Sequence, residues 1–361
     1  FLDHDNHIWI GTELEGLYLY KPETDELEHF KPDPLDNNTI SDPTIYSFCE
    51  DRTGALWIGT FSKGLNKIDF HQKKIQHFKK MPNKKNSLSG DIITSIHSQK
   101  PNELWVGIDI NGGVNRILFS KNKEPEIIHY LNNPNDANTI GGNSVLCLVQ
   151  RKNGDVWAGS AGGAISKISP EPPFSGKKAK VERFMFDRWT FSIFEDSDGI
   201  LWGGTWNKGL WRYDDKTGTF DFFVPDANSK FSICDDIIWA IGEDNHKNIL
   251  IGGHGNGISV LTSDEKRKPT PRFKNFAFDK NNPKSLSNNT VNAFYSDSKG
   301  MVWVCTSGGL NKVLNSNEST STFNNFPDWV FKSYHTADGL PAEEIAGIVE
   351  DNNGYIWLST I

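Results

Sequence analysis

Short runs of alternating apolar and polar residues recur through the whole chain, as in Ile45-Tyr46-Ser47-Phe48-Cys49-Glu50. A period of two marks a half-buried β-strand. Four such runs lead into Asp-x-x-Gly, at Asp51 to Gly54, Asp196 to Gly199, Asp297 to Gly300 and Asp351 to Gly354. A run reading Leu-Trp-Ile-Gly-Thr follows, as at Leu56 to Thr60, or nearly so at Leu201 to Thr205. After a Gly-Leu step (Gly16-Leu17, Gly64-Leu65, Gly209-Leu210, Gly309-Leu310) come another alternating run and an aromatic-bearing one, such as Leu27 to Phe30 or Phe220 to Phe223. Asp-x-x-Gly between two strands predicts a hairpin turn, with the Asp capping backbone N–H groups and the Gly taking positive φ.

The tryptophans give the period. Trp9, Trp57, Trp105, Trp157, Trp202, Trp303 and Trp357 share this context, and Leu250 fills the remaining slot. The spacings are 48, 48, 52, 45, 48, 53 and 54 residues, spanning 348 in all. Four short strands per period make one small antiparallel sheet, which cannot bury both faces alone. Stacking such sheets around an axis does bury them. The expected fold class is therefore all-β, a seven-bladed β-propeller of four-stranded antiparallel blades occupying residues 1–361 as one domain. A partial eighth hairpin is expected at 346–361. Because both ends carry the Trp hairpin, one is surplus or the chain is cut from a longer array. The second reading is favoured, since Thr360-Ile361 stops where a Gly-Leu strand should follow.

Composition changes the picture in two places. Length alone suggests two or three domains at roughly 150 residues each, and the repeat replaces that with one. The net charge of −8, with 38 basic and 46 acidic residues, counts against a nucleic-acid partner. The densest basic run, Lys177-Lys178-Ala179-Lys180, reads as a solvated loop. Cys49, Cys147, Cys234 and Cys305 lack Cys-x-x-Cys spacing, so neither a zinc site nor a disulfide framework is expected. His4 and His7 are the only close histidine pair, and no metal or other cofactor is expected.

The repeated Asp-x-x-Gly-x-Leu-Trp-Ile-Gly-Thr-x-x-x-Gly-Leu resembles the two-component regulator propeller repeat. The links Asn38 to Ser41, Asn86 to Ser89 and Lys284 to Ser287 are similar to that family's, as is His335 to Pro341. The resemblance implies the periplasmic sensor region of a hybrid two-component histidine kinase of gut Bacteroidetes. Such a receptor carries two propellers, an immunoglobulin-like domain, a membrane helix, a kinase and regulator domains. It senses oligosaccharides from complex glycans and controls glycan-utilisation genes. The partners so implied are an oligosaccharide ligand, a neighbouring propeller, the immunoglobulin-like domain and a second copy in a homodimer.

The repeat also supplies a control, because a residue present in every blade is there for folding. Glu50-Asp51, Glu195-Asp196, Glu243-Asp244 and Glu350-Asp351 look like catalytic carboxylate pairs but are one hairpin repeated. Ligand candidates must be irregular and lie on the face formed by the links and the loops between second and third strands. Trp206, Asn207 and Lys208 in blade five, Arg188 and Trp189 at its entry, and Trp239, His254 and Asn256 in blade six meet both conditions. Asp109-Ile110-Asn111 and Glu13-Leu14-Glu15 share that face. An aromatic ring packs on the C–H face of a sugar, planar polar groups take its hydroxyls, and an Arg clamps an acidic substituent. Against this stands the plain alternative that Trp206 and Trp189 fill the groove between blades. Removing the seven scaffold tryptophans leaves Trp189, Trp206, Trp211, Trp239 and Trp329 as the places to seek a function.

No hydrolase elbow, zinc-binding His-Glu-x-x-His or phosphate loop occurs, and no catalytic residue is assigned. A propeller enzyme of the streptogramin-lyase type remains the alternative, with a protein-interaction propeller as a third class.

Overall fold

The computed structural model describes all residues except 37, 70–73, 83, 122, 176 and 361, so the last residue of the expected closing hairpin lies outside it. The chain divides into two compact units, Phe1–Thr190 and Phe191–Ile361. The first holds a three-stranded sheet (Ile8–Gly11, Leu17–Lys21, Glu26–Phe30) and three four-stranded blades. Blade two is Ile45–Glu50, Leu56–Thr60, Leu65–Asp69 and Lys74–Phe78. Blade three is Ile93–His97, Glu103–Ile108, Gly113–Leu118 and Glu126–Tyr130, and blade four is Val145–Gln150, Val156–Ser160, Ala164–Ser169 and Lys180–Met185. In the second unit, blade five opens on Thr190–Glu195, which begins at the boundary, and continues with Leu201–Thr205, Leu210–Asp214 and Thr219–Phe223. Blade six is Ile238–Glu243, Ile249–Gly253, Ile258–Leu261 and Lys274–Phe276, and blade seven is Val291–Ser296, Val302–Thr306, Gly309–Val313 and Phe331–Tyr334. The hairpin Ile345–Glu350 and Ile356–Thr360 follows. Every strand pairs antiparallel with its chain neighbour, and the fold class is the expected all-β, seven-bladed propeller.

The turn Asp does two jobs, of which the sequence showed one. Asp51 Oδ1 accepts the N–H groups of Thr53 and Ala55, and Gly54 has φ 79°. Its Oδ2 accepts the indole N–H of Trp57 at 2.7 Å. The same indole bond joins Trp9 to Asp3, Trp202 to Asp196, Trp303 to Asp297 and Trp357 to Asp351. In blades three and six the bond is kept by substitution. In blade three Glu103 accepts from Trp105 at 2.7 Å, and in blade six, where Leu250 replaces Trp, Asn248 Nδ2 donates to Asp244 at 2.8 Å. The Trp ring is thereby fixed while it fills the space against the next blade. Trp57 is fully buried among Leu65, Leu88, Ile93, Leu104 and Val106. Such burial is worth about 4–6 kcal/mol at most, from ~150–250 Å² per ring.

In three of the Glu-Asp pairs the Glu ties its blade to the preceding turn. Glu50 accepts from His4 N, Glu243 from Ser197 N and Glu350 from Ser298 N. Gln150 replaces the acid in blade four and accepts from Gln99 N. This is structural pairing, as the repeat argument expects.

The Asn-Ser-Leu-Ser type of link is pinned by the third strand of the blade it enters. Ser41 N donates to Asn66 Oδ1, Ser89 N to Asn115 Oδ1 and Ser287 N to Asn311 Oδ1. Ile40, Leu88 and Leu286 are buried beside these pins.

Two of the five leftover tryptophans belong to the core, a correction to their candidacy. Trp329 packs against Phe276 at 5.1 Å and gives its indole N–H to Ser319 Oγ. Trp211 is fully buried against Gly203, its register partner.

All four cysteines are free. Burial pushes the thiols of Cys49, Cys147 and Cys305 up to about 12 and that of Cys234 up to about 11. Since the thiolate is the nucleophile, iodoacetamide at about pH 8 should leave the folded protein unlabelled and modify four sites once denaturant is added. Mass spectrometry reads this directly. Rapid native labelling of any thiol would contradict its placement.

Candidate functional site

Blades two, three, four, six and seven repeat one piece of geometry on the face of the links. The first strand carries a β-bulge near its start. The ladder skips Tyr46, Thr94, Leu146, Trp239, Asn292 and Ala346 in turn. A bulge re-aims the side chain it carries. The residue after the second strand then folds back to the same spot. The N–H of Phe61 donates to Thr44 O, Asp109 to Ile92 O, Ala161 to Ser144 O, His254 to Ile237 O and Ser307 to Thr290 O. Blades two, three, four, six and seven therefore each offer two adjacent side-chain positions that the fold does not dictate, and Phe191 and Trp206 stand at the corresponding sequence positions of blade five.

What occupies them differs. Thr94 with Asp109, Leu146 with Ala161 and Asn292 with Ser307 are small, polar or aliphatic. Blade two has Tyr46 and Phe61, edge to face at 5.3 Å. Burial and the nearby acids Glu13, Asp109 and Asp42 push the Tyr46 phenol up. Blades five and six are both aromatic. Phe191 and Trp206 are 5.7 Å apart, and Trp239 meets His254 edge-on at 4.3 Å. The two pairs join, with Trp206 at 6.4 Å from both Trp239 and His254. Trp206 and Trp239 are each 39% exposed, so the four rings form an open platform rather than a closed core.

Local structure explains the placement. Trp206 leads the turn Trp206-Asn207-Lys208, where Asn207 takes φ 62° and Gly209 N donates to Asp236 O. Trp239 lies between the buried Ile238 and Ala240, so alternation turns it outward. His254 is held by its N–H on Ile237 O, and Asn256 by its N–H on Asp235 Oδ2 at 2.8 Å. Asp235 is buried and also accepts from Ile237 N.

Of the residues singled out from sequence, Trp206, Trp239 and His254 come together, flanked along the chain by the exposed Asn207, Lys208 and Asn256. Arg188 and Trp189 belong to the first unit. Arg188 N donates to Phe186 O, burial draws its guanidinium below the ordinary value, and Trp189 is half-exposed. Phe191, Tyr46 and Phe61 were missed. Aligning the repeats on the residue after the first strand position and the residue after Gly-Thr would have found them. Among the described residues, no group of His, Cys, Asp or Glu is placed to hold a metal ion, and no carboxylate hydrogen-bonds the His254 ring.

Four segments, residues 39–62, 184–207, 285–308 and 339–361, match the two component regulator propeller family model. The second match ends on Trp206 and Asn207. A solved extracellular domain from B. thetaiotaomicron, BT4673, described as a one component system, aligns over 100% of this chain and 49% of its own at 18% identity and TM-score 0.52. That of BT3049 from the same organism, described as a hybrid two component system, aligns over 99% of this chain and 48% of its own at 21% identity and TM-score 0.45. Virginiamycin B lyase from Staphylococcus aureus aligns over 88% of this chain and 91% of its own at 16% identity and TM-score 0.55. The chain thus spans about half the length of the two extracellular domains. No curated protein matches it.

Proposed function

We propose that this chain is part of the ligand-sensing region of a two-component receptor outside the cytoplasmic membrane, and that it binds an oligosaccharide on the Phe191, Trp206, Trp239 and His254 platform. The observation that carries the reading is that four rings on two neighbouring blades stand together, with Trp206 and Trp239 exposed to solvent. Sugar rings stack on such surfaces, and Asn207, Lys208 and Asn256 supply hydroxyl partners at the edge. The regulator-propeller repeats support a sensor, and the likeness to extracellular domains fits a periplasmic position. No described helix is long and apolar enough to cross a membrane. Binding would bias one arrangement of this region and its neighbouring domains over another, which is how a ligand shifts a signalling equilibrium.

Calorimetry with defined oligosaccharides tests this. Trp239→Ala should weaken binding by about 2 kcal/mol, roughly 30-fold, as for an aromatic anchor, with the melting temperature unchanged. Absence of heat with every glycan, or a fall in melting temperature with affinity intact, would remove the reading. Ligand recovered chemically altered after incubation would favour the propeller-enzyme alternative.

A further inference from the structure

The Tyr46 and Phe61 pair of blade two lies open to solvent in the first unit, with acids on both sides of it. We propose that this pair is a second binding site, one for a ligand that carries a primary ammonium on a small saturated ring, an amino sugar being the simplest member of the class.

The placement of the acids follows from the repeat. A threonine hydroxyl closes the same turn in blades one, two and five: Thr12 onto Gly16 O, Thr60 onto Gly64 O and Thr205 onto Gly209 O, each at 2.8 Å. Glu13, Phe61 and Trp206 each follow that threonine and so hold one position. In blade five the position brings Trp206 to 6.4 Å from Trp239, the bulge residue of blade six. In blade one it brings Glu13 toward Tyr46, the bulge residue of blade two. Ile45 N donates to Thr12 O at 3.0 Å and Leu14 N to Thr44 Oγ1 at 3.2 Å, which fastens the Glu13 loop alongside. On the other side, Asp109 holds in blade three the position that Phe61 holds in blade two, its N–H on Ile92 O as that of Phe61 is on Thr44 O. Tyr46 and Phe61, 52% and 45% exposed, therefore stand between two carboxylates. Both acids act on the Tyr46 phenol, which burial and then Glu13, Asp109 and Asp42 push up.

These two carboxylates are available. Among the described residues no cation pairs with Glu13 or Asp109, whereas Glu15 on the same loop meets Lys31 at 3.7 Å. Asp109 Oδ1 accepts from Ile110 N and Ser144 Oγ, and its Oδ2 remains for a ligand. Asp42 is buried, and its oxygens accept from Thr44 N, Ser62 N and Ser62 Oγ, so it adds field without contact. An ammonium over an aromatic face is attracted by the ring quadrupole. Its N–H groups donate to carboxylates in charge-assisted bonds, which a quaternary ammonium cannot form. The ring that carries it can lay its C–H face on the exposed aromatic pair. Neither the rings nor the acids alone would select such a ligand; their juxtaposition does.

The test uses the whole chain with glucosamine in mildly acidic, low-salt buffer as the probe and glucose as its neutral control. Calorimetry should show roughly tenfold tighter binding of glucosamine than of glucose. Glu13→Gln keeps the shape of an exposed side chain, removes its charge, and should weaken glucosamine binding roughly fivefold. Phe61→Leu keeps an apolar side chain without the ring and should cost as much, which separates a cation held over aromatics from a mere counterion. Neither variant should lower the melting temperature. Trp239→Ala should leave glucosamine binding untouched, separating this site from the aromatic platform. Equal affinity for glucosamine and glucose, or glucosamine binding that survives either blade-one or blade-two variant, overturns the proposal. So does tighter binding of Nα-acetyl-lysine amide, the same ammonium on a peptide body, which would hand the site to a basic polypeptide.

Discussion

Lys266→Met is expected to lower the stability of the second unit by about 3–5 kcal/mol, the usual cost of removing one member of a buried charge group. The Lys266 side chain is 1% exposed, in the stretch between the third and fourth strands of blade six. Its ammonium lies 3.1 Å from Asp196 Oδ2, 2.9 Å from Glu243 Oε1 and 3.6 Å from Asp198 Oδ2. Asp196 caps the blade-five turn and holds Trp202, while Glu243 holds Ser197. One ammonium therefore separates carboxylates that the hairpins of two blades need. Methionine fills the volume but leaves those charges facing each other. Lys247, which meets Asp198 at 2.7 Å on the surface with 54% of its side chain exposed, is the control. Lys247→Ala should leave the stability essentially unchanged. Denaturant unfolding followed by two probes measures both. A loss below 1 kcal/mol for Lys266→Met would show that the carboxylates relax apart and that Lys266 is no staple.

Trp211→Ala is expected to cost about 3–5 kcal/mol, as for other large-to-small core changes at aromatic positions. The more telling experiment is the pair. Blade two places Ile58 opposite Asn66, blade seven Val304 opposite Asn311, and blade five Gly203 opposite Trp211. Blade five has thus exchanged large for small across one register pair. A Cβ built on Gly203 would lie 2.0 Å from the Trp211 ring. Gly203→Ile should destabilise by overpacking, yet Gly203→Ile combined with Trp211→Asn should be more stable than either single change. A coupling of about 0.5–3 kcal/mol is expected for residues in contact. Additive losses in the double variant would show that the surroundings, rather than the pair, set the fit.

The repeat made the blades legible because turn, strand and Trp recur at nearly constant spacing, and repetition averages out local noise. It also separated the Glu-Asp pairs from chemistry, and the bonds of Glu50, Glu243 and Glu350 show why each acid is there. What stayed hidden lies where meaning depends on register. Trp211 stood out as an irregular aromatic, and only its pairing with Gly203 makes it core. Lys266 sits outside the repeat, so no period could flag it. Phe191 reads as an ordinary strand residue until the bulges at Trp239 and Tyr46 in its sister blades mark the corresponding position as one the fold does not dictate.

The pins on the links carry one more consequence, for how such a chain can be cut and grown. A recurring side-chain bond runs from a link to the blade after it: Asn66 to Ser41, Asn115 to Ser89, Asn311 to Ser287. The joints to the blade before it rest on backbone bonds, such as Gly16 N to Pro43 O and Gly64 N to Asp91 O, which almost any sequence can make, with side-chain bonds that differ from blade to blade, such as Ser144 Oγ to Asp109 and Ser307 Oγ to Glu344. A link plus the blade that follows is therefore the smallest segment that keeps the recurring Asn–Ser pin when moved. Tandem duplication or deliberate grafting at those borders would preserve folding, whereas a cut between link and blade would strand half of each pin.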